Sequence, residues 1–267
     1  MLRWNAVLFM LCLAVHGVRA GVPLYMPHGS AETGLAFAVT ATPGHWSCFN
    51  NQALLTAATG TSFSASFESR FMMPALSSKA ISAVIDSRSA PLGIVATHYG
   101  NGDYYRLFTG VGSAVRLTDK ISMGVQIDYL LEHGAGEYRD VTHVTFETGM
   151  TCTLAPSLDL GLHIFNPLTP LNSLPSSIET GLHWRQSDDL FLTLAGSKMT
   201  GEPLSVQCGI CWSTLNRLTL RCGYMSSPSA FAFGLGCRAG SVIIDTGFLV
   251  NAITGITSSL SLAWAIK

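Results

Sequence analysis

From Thr61 onward the chain alternates apolar residues with small or polar ones, in runs closed by turn residues. A period of two is the side-chain period of an extended strand, in which successive Cβ atoms point to opposite faces. Ile121, Met123, Val125, Ile127 and Tyr129 form one face of such a run, and Ser122, Gly124, Gln126 and Asp128 form the other. In a second run Leu158, Leu160, Leu162 and Ile164 stand against Asp159, Gly161 and His163. Leu218, Leu220, Cys222 and Tyr224 oppose Arg217, Thr219, Arg221 and Gly223, and Leu260, Leu262, Trp264 and Ile266 oppose Ser259, Ser261 and Ala263. Runs of about ten residues with an unbroken greasy face mark strands that cross a bilayer, lipid outside and lumen inside.

The pattern predicts fourteen strands, near 61–70, 76–86, 91–100, 103–116, 119–132, 140–153, 157–166, 178–187, 189–198, 203–212, 216–225, 229–238, 241–251 and 255–267. An even number places both ends of the barrel on one side. Short turns at 118–120, 155–157, 187–189 and 239–241 follow even-numbered strands, whereas the longer stretches 133–139, 167–177 and 226–229 follow odd ones; 100–102 is a short exception. Outer-membrane barrels carry short periplasmic turns and longer external loops, so both termini are expected in the periplasm of a Gram-negative bacterium. Tyr104, Tyr105, Tyr129, Trp184, Trp212, Tyr224 and Trp264 fall near predicted strand ends, where amphipathic rings favour the membrane interface.

Composition separates this reading from a soluble β-sandwich, which alternates too but shows water a polar outer face. Charged residues are 12% of the 267, about half the usual share for a soluble domain. Beyond the N-terminal leader no stretch is long and apolar enough for a membrane helix. A net charge of −1 argues against a nucleic-acid partner. The leader has three parts: Arg3, the apolar run from Ala6 to Val15, and Val18-Arg-Ala20, which together predict a signal peptide at 1–20 cleaved after Ala20. Cys12 follows Met10 and Leu11 rather than the small residue of a lipoprotein signal, so lipid anchoring is not expected.

Three stretches carry a resemblance: Cys48-Phe-Asn-Asn-Gln-Ala-Leu-Leu55, Leu117-Thr-Asp-Lys-Ile-Ser-Met-Gly-Val-Gln-Ile-Asp-Tyr129 and Leu160-Gly-Leu-His-Ile-Phe-Asn-Pro167. In their order along the chain they resemble the PorV/PorQ-like outer-membrane barrels of Bacteroidota, within the wider FadL-type group. The resemblance implies a fourteen-stranded barrel at 61–267 with an N-terminal plug at 21–60, and it places Phe49, Asn50, Asn51, Gln52 and Ala53 in a plug motif. Gln52 and Leu54 depart from the Pro and Gly common in that motif, and Lys267 ends a last strand that often finishes on an aromatic residue. PorV and PorQ serve type IX-like secretion and surface attachment, with secretion-system proteins or secreted cargo as partners. FadL proper imports long-chain fatty acids, and a FadL-type channel would pass small hydrophobic molecules. A shared fold does not choose between these roles.

The sequence offers little that demands catalysis. Six cysteines follow the leader, and alternation puts Cys152, Cys208, Cys222 and Cys237 on the lipid-facing register. Cys208 and Cys211 are three apart on a strand, hence on opposite faces, and cannot share a metal ion. Cys48 in the plug and inward Cys211 are left as a pair that could meet. Glu68, Arg106, Asp128, Glu147, Asp159, His163, His183, Arg217, Arg221 and Asp245 point into the lumen, where a barrel of this size needs polar side chains. Of these, Arg106, Asp128, His163, His183, Arg217, Arg221 and Asp245 are the candidate ligand or lumen residues. Arg217 and Arg221, if unpaired, suit a carboxylate or phosphate. A membrane hydrolase ranks behind the secretion and channel readings: no Gly-x-Ser-x-Gly elbow, phosphate-binding glycine loop or His-Glu-x-x-His motif occurs. No catalytic residue, metal or cofactor is expected.

Overall fold

The structure, a computed structural model, describes residues 28–87, 89–136, 139–168, 174–214 and 217–266. The expected signal peptide and residues 21–27 lie outside the described residues. Fourteen strands follow one another: β1 (Thr61–Ser69), β2 (Ser77–Ile85), β3 (Leu92–Gly100), β4 (Tyr104–Arg116), β5 (Ile121–Gly134), β6 (Val141–Ala155), β7 (Leu158–Phe165), β8 (Ser177–Arg185), β9 (Leu190–Met199), β10 (Ser205–Thr214), β11 (Leu218–Ser226), β12 (Ser229–Ala239), β13 (Val242–Asn251) and β14 (Gly255–Ile266). Every strand pairs antiparallel with its sequence neighbours, and β1 closes the ring on β14 from Thr61↔Ile266 to Ser69↔Ser258. Closure removes the unpaired edge that lipid could not satisfy. Among the described residues no helix is long and apolar enough to cross a membrane.

Alternation sorts the strand residues as the sequence predicts. Ile81, Val125, Ile127 and Val144 project outward and are more than half exposed. A continuous apolar surface of this extent is stable only against hydrocarbon, so the fold is a transmembrane barrel. Trp184, Trp212 and Trp264 stand on the outer face toward the end where β1 begins and β14 finishes, here the termini end. Tyr104 and Tyr129 lie toward the opposite, loop end. Rings at both levels fit a belt at each interface.

The inner face is covered by the stretch His28 to Gly60, which carries helix α1 (Ser30–Gly34), helix α2 (Ser47–Asn50) and a 3-10 turn at Gln52–Ala57. Asn51 caps that turn, its side chain accepting the Ala53 N–H. The segment reaches strands all round the ring. Ser30 N donates to Ser261 Oγ on β14, Thr42 Oγ1 meets His183 Nδ1 on β8, Asn51 Nδ2 donates to Met150 O on β6, and Ser82 Oγ on β2 donates to His45 O. A chain that touches opposite walls of a closed ring lies inside it.

The wall makes room by leaving side chains out. A Cβ at Gly149 would sit 2.0 Å from Asn51 Oδ1, and one at Gly161 would sit 2.2 Å from the Thr40 carbonyl oxygen. Gly93 faces Cys48 Sγ and Gly247 faces Ser30 O at comparably short range. At these positions the inward face of the barrel is therefore moulded to the N-terminal segment rather than filled by its own side chains.

The six described cysteines are free. Cys208, Cys222 and Cys237 are exposed on the outer face, and Cys152 is half-buried. Cys48 and Cys211 do not meet: Cys48 packs with Phe49, Leu55 and Val95, and Cys211 with Leu35 and Val39. Burial, with Glu147 and Asp128 nearby, pushes the Cys48 thiol up to about 12, so it stays protonated and inert.

Candidate functional site

Two environments meet where the N-terminal segment lies on the wall. The first is polar. Glu147 on β6 and His163 on β7 point inward from neighbouring strands, and His163 Nε2 lies 2.8 Å from Glu147 Oε2 with both side chains fully buried. The Gln52 amide donates to the same carboxylate oxygen at 2.6 Å, while its nitrogen also reaches Cys48 O at 2.9 Å. Gln126 on β5 donates to Asp128 Oδ1 at 2.9 Å. A carboxylate removed from water survives only with donors placed around it, and here one donor comes from the wall and one from the segment. The arrangement pins Gln52, and with it α2 and the 3-10 turn, against β5 to β7.

The second environment is apolar. Phe49 stacks in tilted geometry between Trp46 and Phe108, with ring centroids 5.9 and 5.7 Å away. Leu130, Phe165 and Leu174 complete the cluster. Leu174 belongs to the connection between β7 and β8, whose start is folded inward: Asn166 takes a positive φ of 48° and its amide donates to Leu174 O. Rings this close to one another prefer offset or tilted packing, and here they bury one another where the segment meets the wall.

The residues singled out by sequence divide between several places. Asp128 and His163 sit in the polar centre, and the plug-motif residues Phe49, Asn50, Asn51, Gln52 and Ala53 are all buried beside it. His183 holds Thr42 of the segment at 3.1 Å. Arg221 forms a 2.7 Å ion pair with Asp245 across β11 and β13, so it is not the unpaired cation that a head-group site needs. Arg217 lies in the turn before β11 and is exposed, not lumenal. Alternation had carried the strand past its real start. Arg106 pairs with Glu132 at 3.2 Å toward the loop end. Glu179, Gln126 and Arg238 were not singled out, although each shares the inward register of its strand. Glu32 was also missed, because the segment before Thr61 has no periodicity to read.

A cavity of about 240 Å³ opens at the termini end between the segment and the wall. Ser47, Leu54, Leu55, Ser62 and Val84 form its buried walls, and Arg238 and Thr59 stand at its exposed rim.

Glu32 and His28 bear most on how docking of the segment depends on pH, with the His45 ring, also lowered by burial, acting in the same direction as His28. Burial raises the Glu32 carboxyl to about 8, with Asp245 adding to the rise and Arg221 opposing it. Burial, with Arg70 adding, lowers His28 to about 3. A raised carboxyl contributes stability that is complete below its free value of 4.5 and lost as pH climbs through about 8. A lowered imidazole contributes stability that is complete above 6.5 and lost as pH falls toward 3. Docking is therefore expected to be tightest between about pH 4.5 and 6.5. Limited proteolysis of the 28–60 stretch in detergent should be slowest near pH 5.5 and clearly faster at pH 9; a flat profile over that range would contradict the assignment.

Neither a protein-family model nor a curated protein sequence matches the chain. Solved structures do share its fold. A FadL homologue from Pseudomonas aeruginosa superposes with a TM-score of 0.71 at 11% identity, over 92% of this chain and 100% of its own. The toluene transporter TodX of P. putida gives 0.70 at 12% identity, over 90% and 98%. The monoaromatic hydrocarbon channel CymD gives 0.68 at 13% identity, over 89% and 97%. These likenesses establish the fourteen-strand FadL-type fold.

Proposed function

We propose that the protein is an outer-membrane channel for small hydrophobic molecules, with residues 21–60 as its plug, both termini in the periplasm and a mature chain that starts after Ala20. The observation that carries this reading is the segment held inside the barrel beside a cluster of aromatic and aliphatic side chains, at the depth where a solute would have to pass. Apolar lining with a few placed polar groups is the usual makeup of a small-molecule site. The neighbours of the same fold are described as FadL-like, toluene-transporting or monoaromatic-hydrocarbon channels, which points the same way.

The secretion and surface-attachment reading rests on the resemblance of the Cys48–Leu55, Leu117–Tyr129 and Leu160–Pro167 stretches alone, and nothing in the lumen favours it. Cells that express the full chain in their outer membrane should take up labelled toluene several-fold faster than matched cells without it, while uptake of a sugar of similar size stays unchanged. Equal toluene uptake would overturn the channel. Recovery of secretion-system proteins by crosslinking in that case would favour the other role.

A further inference from the structure

Among the described residues, the arginines on the inward register of the strands are matched to acceptors except Arg238, which, like Arg217 in the neighbouring turn, is exposed at the termini end. Arg106 faces Glu132, Arg185 faces Asp159 and Arg221 faces Asp245, each pair drawn from different strands. Arg116 donates to the Thr56 carbonyl oxygen at 3.2 Å. Arg238, on the inward register of β12 near the termini end, makes no ion pair or hydrogen bond through its side chain with any described residue. It stands at the rim of the 240 Å³ cavity. In a chain with only 15 basic residues, a cation left unmatched on a lumenal wall is an uncommon expense of charge.

The rest of the cavity explains what the cation is for. Leu54, Leu55 and Val84 give one side an apolar wall, and Ser47 and Ser62 stand among the polar groups of the lining. His45 also lines the space, and its burial holds its ring below the ordinary histidine range, so at neutral pH it is an uncharged hydrogen-bonding group. Arg238 then supplies the one full positive charge among the described residues of the lining. The volume equals that of about eight waters in the liquid, taking roughly 30 Å³ for each. That space suits a single aromatic ring with a short substituent.

We infer that this cavity is a binding site for small aromatic or short-chain monocarboxylates, the apolar body against Leu54, Leu55 and Val84 and the carboxylate on Arg238. A guanidinium offers a planar fork that matches two carboxylate oxygens, and a half-enclosed apolar wall strengthens the attraction relative to open water. The site deepens the proposed channel, on which it rests for its role in transport, by assigning acidic aromatic solutes to the termini end.

The test measures binding rather than passage, so its failure is distinct from that of the channel. Benzoate and benzyl alcohol have nearly the same size and differ in charge. Each is titrated into the detergent-purified full chain at pH 7 and followed by calorimetry, with heat-modifiable gel migration confirming a folded barrel in every variant. The wild-type chain should bind benzoate about tenfold or more tightly than benzyl alcohol, the scale of one charge-assisted contact. Arg238→Gln should abolish that preference, and Arg238→Lys should restore part of it. A wild-type chain without preference for benzoate, or an R238Q chain that keeps it, would overturn the site even if toluene uptake were intact.

Discussion

Gly161→Val is expected to expel the N-terminal segment from the barrel while leaving the barrel folded. The added Cβ would lie 2.2 Å from the Thr40 carbonyl oxygen and 2.7 Å from its carbon, and a backbone cannot rotate aside as a flexible side chain can. Overpacking of this kind costs about 1 to 3 kcal/mol, and against a backbone oxygen the upper end of that range is expected, enough to shift a docked segment largely to its released form. Protease cleavage within 28–60 should rise at least tenfold, with the unboiled protein still migrating as a compact band. Gly196→Val is the matched control: a Cβ there meets nothing nearer than Ser205 O at 4.0 Å, and cleavage should stay at the wild-type rate. Equal protection in both variants would mean that the segment is not held against the wall at Gly161.

Glu147→Leu should destabilise the protein by about 2 to 5 kcal/mol, since two buried donors each lose an acceptor at about 1 to 3 kcal/mol apiece. Two buried groups lose an acceptor at once, the His163 imidazole and the Gln52 amide. Gln126 lies within 3.5 Å of the same carboxylate and loses a contact as well. The loss should register as a lower urea midpoint in detergent and as earlier release of the segment. Glu147→Gln keeps an oxygen for Gln52 and should recover part of the loss. A midpoint within experimental scatter of the wild type would show that Glu147 merely fills space.

The barrel was legible in the sequence because the property that builds it is local. Alternation along Ile121 to Tyr129 fixes which side chains meet lipid, and the same test applied strand by strand recovers all fourteen with each end within two residues. Its errors are of one kind. Alternation reports a face and not an end, so Arg217 was read as lumenal when the chain there is still turning.

The site was legible only in part. Asp128, Glu147 and His163 could be placed inside by their register, but their convergence depends on pairings such as Gln126↔Glu147 and Gly149↔His163, which set the heights of neighbouring strands. Gln52 enters from a stretch without periodicity, where resemblance and not pattern marked the motif. Glu32 and Arg238 illustrate two further blind spots. The burial of Glu32 is created by docking, and Arg238 stands out only once every other lumenal arginine has been assigned its partner.

The glycines of the inner wall also bear on how such a barrel changes over time. Fourteen strands enclose a ring of fixed girth, and where Gly149, Gly161 and Gly247 leave the wall bare, the surface that the proposed channel would show a solute belongs to residues 28–60. On that proposal, the calibre and chemistry of the passage would be written in about thirty residues held inside the barrel. Selectivity can drift by exchanging side chains on that short stretch, while the strands that must enter and seal in the bilayer remain as they are.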